Sequence, residues 1–189
     1  MIKKYLLPVM MLVIFEGIAV TLWLSKDNLF YLFNFSYIGI ALALGIVLYI
    51  KQYPHARRVT QLLVGMYMLF YLGLIRQENM QIEGFWYYLF LGVFEAATIH
   101  YFVAKICGPL FFGRGWCGYA CWTAMVLDLL PYKIPKEDRK KLGWIRYIVF
   151  LISLLSVSAL FILKVGNLEN IMFWSFIIGN LIYYILGIA

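Results

Sequence analysis

Charged residues are scarce in this chain of 189 residues: Asp, Glu, Lys and Arg make up 13% of it, about half of the roughly 25% that is usual in soluble domains. So low a charge, together with 65% hydrophobic residues, excludes a disordered chain and argues against a soluble globular domain. The net charge is +7. Because so apolar a chain has no polar face for a nucleic-acid backbone, we attribute the excess of Lys and Arg to membrane topology rather than to nucleic-acid binding.

The apolar segments lack the polar–apolar alternation of an outer-membrane barrel and are continuous instead. A transmembrane helix needs about 20 apolar residues, since every backbone amide in lipid must find an internal partner. The sequence therefore predicts an all-α polytopic membrane protein in which residues 1–189 form one domain with six transmembrane helices and a short interfacial helix after the fourth. The six apolar runs are 5–24, 29–50, 59–75, 85–104, 147–163 and 171–189.

The first run lacks the Ala-x-Ala-like exit of a signal peptide, and we interpret it as a retained span. With the N-terminus inside, 13 of the 16 Lys and Arg residues fall on the inner side. This bias predicts a bacterial-type cytoplasmic membrane protein with both termini in the cytoplasm. Short outer loops are expected around Asp27, at 76–84 and at 164–170, which leaves 105–146 as a cytoplasmic segment. The sixth run reaches Ala189 without a basic flank, so we expect the gene product to continue.

Cysteine is also rare, and all three residues, Cys107, Cys117 and Cys121, fall within the inner segment. In a reducing cytosol such a cluster favours metal ligation or redox work over a structural disulfide. A helix from Trp116 that ends before Pro131 would put Cys117 and Cys121 on one face, with β-carbons about 5 to 6 Å apart. Two thiolates so placed can bind an iron–sulfur cluster or one soft metal ion. The alternative is that the cysteines are small buried apolar residues beside glycines that only turn the chain.

The segment Gly-Arg-Gly-Trp-Cys-Gly-Tyr-Ala-Cys-Trp at 113–122 resembles the signature of the membrane polyferredoxins, [4Fe-4S]-binding membrane proteins of the NapH and CcoG type. Their pattern is Gly-Arg-x-x-Cys-Gly-x-x-Cys-Pro. Arg58 and Gln61 also match an Arg-x-x-Gln pattern that is common before a span in this family. The resemblance implies a [4Fe-4S] cluster at Cys117 and Cys121, and a membrane part that passes electrons between quinone and iron–sulfur centres at the cytoplasmic face.

The chain departs from this family in two respects. Trp122 stands where the family has proline, and the second cysteine pair that usually follows a later span is absent. Three cysteines cannot fill a four-thiolate site. With Cys107 as a third ligand, the fourth would come from a further segment, from a second subunit or from a non-cysteine residue, for which His100 is a candidate.

Ionisable residues within predicted spans cost at least about 2.5 to 3.5 kcal/mol to insert, so each is a candidate functional group. Glu16 lies in the first run, and Glu95 and His100 lie in the fourth. All three are candidates for binding quinone or for accepting its protons. The alternatives are an interhelical hydrogen bond for each glutamate, and for His100 a hydrogen bond in the bundle or a position at the interface.

Together these features predict a membrane electron-transfer protein that relays electrons through a cytoplasmic-face [4Fe-4S] cluster and is linked to quinone or quinol. The expected partners are membrane lipid, quinone, and a redox partner protein or second subunit. Two other functions remain open at this point. One is a membrane thiol–disulfide oxidoreductase that uses Cys117 and Cys121, and the other is a metal-handling or structural subunit with inert cysteines.

Overall fold

A computed structural model of the chain describes residues 2–93, 96–108, 110, 118–130 and 144–188. Every regular element in these ranges is helical and none is a strand, which confirms the all-α fold. Two helices, α3 and α5, continue directly as π-helices over Tyr67–Ile75 and Phe102–Cys107. In chain order the α-helices are α1 (Ile2–Lys26), α2 (Leu29–Ile50), α3 (Ala56–Met66), α4 (Ile82–Phe90), α5 (Ala96–Tyr101), α6 (Trp122–Leu129), α7 (Ile145–Ile162) and α8 (Leu168–Ile188).

Among the described residues, four helical segments are long and apolar enough to cross a membrane: Leu6–Lys26, Leu29–Ile50, Ala56–Ile75 and Leu168–Gly187. They correspond to the first, second, third and sixth predicted spans. The apolar part of α7, Tyr147–Ile162, is shorter. The four segments indicate a helical membrane protein, but six transmembrane helices are not confirmed.

The helices α1 and α2 form an antiparallel pair, and α2 also packs against α3. Asn28 begins α2, because its side-chain oxygen accepts a hydrogen bond from the Phe30 amide at 2.9 Å. The helices come together at Gly39, where an added Cβ would lie 2.6 Å from the Phe15 Cβ. Glycine at this position thus allows the buried Phe15 ring to pack directly on the backbone of α2.

The fourth predicted span, 85–104, is not one helix. The helix α4 ends at Phe90, and α5 begins at Ala96 after a turn in which Gly92 has a φ of +69°. The rings of Phe85 and Tyr101 stack with their centres 4.7 Å apart, whereas a straight helix would separate the two residues by about 24 Å along its axis. The prediction of a single span was wrong here, because α5 folds back along α4.

The connection before α4 also differs from the predicted outer loop at 76–84. Glu78, Asn79 and Met80 are buried, and the Asn79 amide donates hydrogen bonds to the Met172 carbonyl at 2.8 Å and to the Ser175 hydroxyl at 3.0 Å. These bonds pair the Asn79 side-chain amide within a segment that has no regular structure. The connection therefore packs inside the bundle against α8.

The short helix α6 lies between α3 and α8. An added Cβ on Gly65 of α3 would lie 2.7 Å from the Met125 sulfur and 3.2 Å from the Trp122 Cα. Further along, Arg57 pairs with Asp128 at 2.8 Å. Since residue numbers rise along α6 as they fall along α3, the two helices are antiparallel, and the beginning of α6 lies beside the middle of the third span.

Candidate cysteine site

Two of the three cysteines lie in the described part of the chain, and both are half-buried free thiols. Cys107 is the last residue of the second π-helix, and Cys121 immediately precedes α6. Cys121 has extended backbone angles, φ −89° and ψ 119°. The predicted continuous helix from Trp116 was therefore wrong at Cys121, although α6 does end before Pro131. Cys117 lies outside the described residues.

A cation–π contact joins the two chain segments that carry Cys107 and Cys121. The Lys105 ammonium group lies 5.1 Å from the centre of the Trp122 ring, within the distance at which such contacts stabilise. Lys105 is two residues before Cys107, and Trp122 directly follows Cys121. The contact therefore brings the two cysteine-bearing segments together across the intervening residues of the chain.

Trp122 is held on its other side by α8. Its indole Nε1 donates a hydrogen bond to the Asn180 side-chain oxygen at 3.2 Å, and the Asn180 amide donates to the Phe176 carbonyl at 2.9 Å. Trp122 and Asn180 are both buried. A buried indole N–H needs such a partner, so this arrangement fixes the beginning of α6, and with it the backbone at Cys121.

Two buried polar groups beside this region have no hydrogen-bond partner among the described residues. Gln61 is 1% exposed with both side-chain polar atoms unpaired, and it lies between Arg57 and Gly65 on the face of α3 that packs against α6. The Tyr184 hydroxyl is also unpaired and is close enough to the Cys121 thiol for an electrostatic interaction. An unpaired buried polar group costs about 1 to 3 kcal/mol. The Tyr184 hydroxyl could donate a hydrogen bond to sulfur in a bound cluster.

The remaining candidate residues are Glu16, Glu95 and His100. The Ser36 hydroxyl donates a hydrogen bond to the Glu16 carboxylate at 2.7 Å, so the interhelical bond considered as the alternative for Glu16 is present between α1 and α2. Glu95 and the side chain of His100 lie outside the described part of the chain, although the His100 backbone belongs to α5. Among the described residues, no three His, Cys, Asp or Glu side chains form a metal-binding group.

Sequence reasoning missed Glu78, which it assigned to an outer loop. Its side chain is 7% exposed, and one carboxylate oxygen lies 3.6 Å from the Arg76 Nε. Burial raises the pKa of Glu78 to about 7, although the neighbouring Arg76 acts in the opposite direction. The nearby apolar runs offer no signal that this polar connection folds inward, because its burial depends on contacts with distant α8.

No protein-family model, curated protein or solved structure matches this chain in the three comparisons. The function is therefore inferred from the arrangement of the residues of this chain.

Proposed function

We propose that this protein is a membrane electron-transfer protein in which Cys107, Cys117 and Cys121 bind a [4Fe-4S] cluster linked to quinone or quinol. One observation carries the proposal: the Lys105–Trp122 contact joins the segments of Cys107 and Cys121, while both of these thiols stay free. Free thiols at the ends of two adjoining segments fit metal ligation, because the thiolate is the ligating form.

The surroundings of these cysteines suit an iron–sulfur cluster in a further respect. The unpaired Tyr184 hydroxyl of α8 lies within electrostatic reach of the Cys121 thiol. Donors of this kind stabilise the charge on cluster sulfur and tune its reduction potential. When bound, the cluster would supply one-electron transfer, and this chain would hold it with three thiolates. The fourth ligand would come from a non-cysteine residue, for which His100 is a candidate, or from outside this chain.

The proposed location is a bacterial-type cytoplasmic membrane with both termini inside. Its support is the concentration of basic residues on one side of the apolar runs, including Lys51, Arg57 and Arg58 around the beginning of the third span. The pairing of Arg57 with Asp128 puts the end of α6 at that same basic end. In this orientation the four long apolar segments Leu6–Lys26, Leu29–Ile50, Ala56–Ile75 and Leu168–Gly187 would cross the membrane.

The decisive experiment is anaerobic purification in detergent, followed by iron and acid-labile sulfide analysis and electron paramagnetic resonance of the reduced protein. We expect about four iron atoms per bound cluster, a brown colour, and loss of the signal in Cys107→Ser, Cys117→Ser and Cys121→Ser. Ala124→Ser, within α6, is the matched control and should retain iron. Iron-free protein with an intact fold would contradict the proposal.

The same preparation tests the thiol–disulfide alternative. If Cys117 and Cys121 exchanged electrons with quinone as a dithiol, thiol labelling would change with the redox state of added quinone, and it would do so without iron. Labelling that changes in iron-free protein would therefore favour an oxidoreductase. Inert thiols without iron would leave a structural role for the cysteine segment.

A further inference from the structure

A groove of about 780 Å³ lies between α2 and the first π-helix, far along the chain from the cysteines. Its walls include Phe30 and Tyr37 of α2 and Tyr67 and Tyr71 of the π-helix, with Arg76 at one end. Tyr37 and Tyr71 are partly exposed on the outside of the bundle, so the groove opens towards the surrounding membrane. π-Helical segments occur frequently at functional sites, and this one supplies half of the groove.

The aromatic rings of the groove are arranged in series. The Tyr37 and Tyr67 ring centres are 4.5 Å apart, and those of Tyr67 and Tyr71 are 5.2 Å apart with an angle of 21° between the ring planes. Such near-parallel offset stacking leaves ring faces available to a further planar ring. The Tyr67 hydroxyl donates its hydrogen bond at 2.8 Å to the Asn34 side-chain oxygen, which fixes the central ring of the series.

At the polar end of the groove lies the guanidinium cation of Arg76, and the buried carboxylate of Glu78 lies next to it. The Arg76 guanidinium lies 4.4 Å above the Phe30 ring, and its Nε is 3.6 Å from a Glu78 oxygen. Glu78 is 5% exposed, and neither carboxylate oxygen has a hydrogen-bond partner among the described residues. Glu78 also lies within electrostatic reach of Tyr67 and of Tyr88 on α4. A charged group buried in this way calls for a functional explanation.

Arg76 also borders a second cavity, of about 510 Å³, whose walls include residues of α4 and of the beginning of α8. Its walls are polar and include Gln77, Asn167, Glu169 and the ring of Tyr88. Arg76 therefore lines both the aromatic groove and a polar cavity.

These features select one kind of occupant. A planar ring is favoured because the walls are stacked aromatics, and a lipid-soluble molecule is favoured because the groove opens to the membrane. The Arg76 charge is already balanced in part by Glu78, so a neutral carbonyl or hydroxyl oxygen suits this position better than an anionic headgroup does. A quinone ring combines all of these properties.

We infer that the groove formed by α2 and the Tyr67–Ile75 π-helix binds the ring of a membrane quinone, with Arg76 donating a hydrogen bond to a ring oxygen. Glu78 is a positioning residue, since its carboxylate lies 3.6 Å from the Arg76 Nε and holds the guanidinium at the groove. This inference rests on the proposed function for the redox role of the ligand, but the binding site itself does not depend on a cluster.

Photolabelling of the full chain in nanodiscs with a short-chain azidoquinone tests the site, with labelled peptides located by mass spectrometry. We expect labelling within 30–37 and 67–76, reduced at least tenfold in Arg76→Gln and in Tyr71→Ala. Tyr49→Ala is the matched control, because Tyr49 is an exposed tyrosine of α2 outside the groove. Unchanged labelling in the groove variants, or labelling only elsewhere, would overturn the inference.

Two further experiments distinguish a failure of the groove inference from a failure of the proposed cluster. Repeating the experiment in the Cys117→Ser background should leave labelling intact. In the wild-type protein, labelling of the groove without iron would refute the proposed cluster alone, and iron without labelling of the groove would refute the groove alone. Nanodiscs with and without phosphatidylglycerol test the competing ligand. Displacement of the label in proportion to anionic lipid would identify a headgroup site and would also overturn the inference.

Discussion

Gly65 and Met125 are in contact so close that a side chain on Gly65 has no room: an added Cβ would lie 2.7 Å from the Met125 sulfur and 3.1 Å from its Cβ. This contact sets the distance between α3 and α6. Gly65→Val should therefore push α6 away from the third span, because overpacking of a tight contact costs about 1 to 3 kcal/mol. The measurement is the thermal unfolding midpoint in detergent, and we expect it to fall.

Gly166 provides the control for this substitution, since an added Cβ there would meet no atom within 4 Å. Gly166→Ala should leave the midpoint close to that of the wild-type protein. An unchanged midpoint in Gly65→Val would show that α6 does not pack on α3 as described.

Loss of the cation–π contact should affect the cysteine site more than the fold. Lys105→Met keeps the length and apolar part of the side chain but removes the charge above Trp122, which is worth about 0.5 to 2 kcal/mol. We expect a lower iron content per chain in anaerobic preparations, since the Cys107 segment is no longer held beside Cys121. Lys164→Met, at an exposed turn, should leave the iron content unchanged, and equal iron in both variants would contradict the role given to Lys105.

The unpaired amide of Gln61 predicts a gain of stability when it is removed. In iron-free protein carrying Cys117→Ser, Gln61→Met should raise stability, because it removes a buried polar group that costs about 1 to 3 kcal/mol. Thermal unfolding measures the effect, and a loss of stability would show that Gln61 already has a partner.

Glu78 should make stability depend on pH. Burial raises its pKa from 4.5 to about 7, so between these values the folded protein holds more protons than the unfolded protein. The contribution of this group to stability is thus fully present below about pH 4.5 and is lost as the pH rises through about 7, a change of about 3 kcal/mol. Glu78→Gln should flatten this slope in denaturant titrations between about pH 4.5 and about pH 7, which are the two limits of the transition.

A matched exposed carboxylate separates this effect from general acid sensitivity. Glu169→Gln removes a carboxylate at the exposed beginning of α8, and its pH dependence should follow that of the wild-type protein. If Glu78→Gln keeps the full wild-type slope, the carboxylate is not the group that titrates.

The long apolar helices could be predicted from the sequence because a continuous run of some 20 apolar residues leaves no other structure available in lipid. The break within 85–104 could not. Phe85 and Tyr101 belong to one predicted apolar run, and their stacking depends on a turn at Gly92 whose positive φ is not encoded in hydropathy. Apolar composition indicates that a segment is buried or in lipid, but it does not indicate how many times that segment reverses.

The conformation of the cysteine segment could not be predicted from the sequence. Spacing alone favoured one helix through Cys117 and Cys121, whereas Cys121 is extended because Trp122 is held by Asn180, a residue of α8 that is distant in sequence. Glu78 was missed for a similar reason. Its burial depends on the anchoring of neighbouring Asn79 to Met172, and no local pattern reports such a contact.

The bonds from Asn79 to α8 also bear on the order of assembly. During synthesis the segment before α4 is complete well before Met172 and Ser175 emerge, so its polar side chain lacks these acceptors until the final helix arrives. Insertion of α8 therefore completes the hydrogen bonds that hold the segment before α4 in the bundle. A ribosome stalled before that helix should leave the earlier half of the protein open to hydrogen exchange.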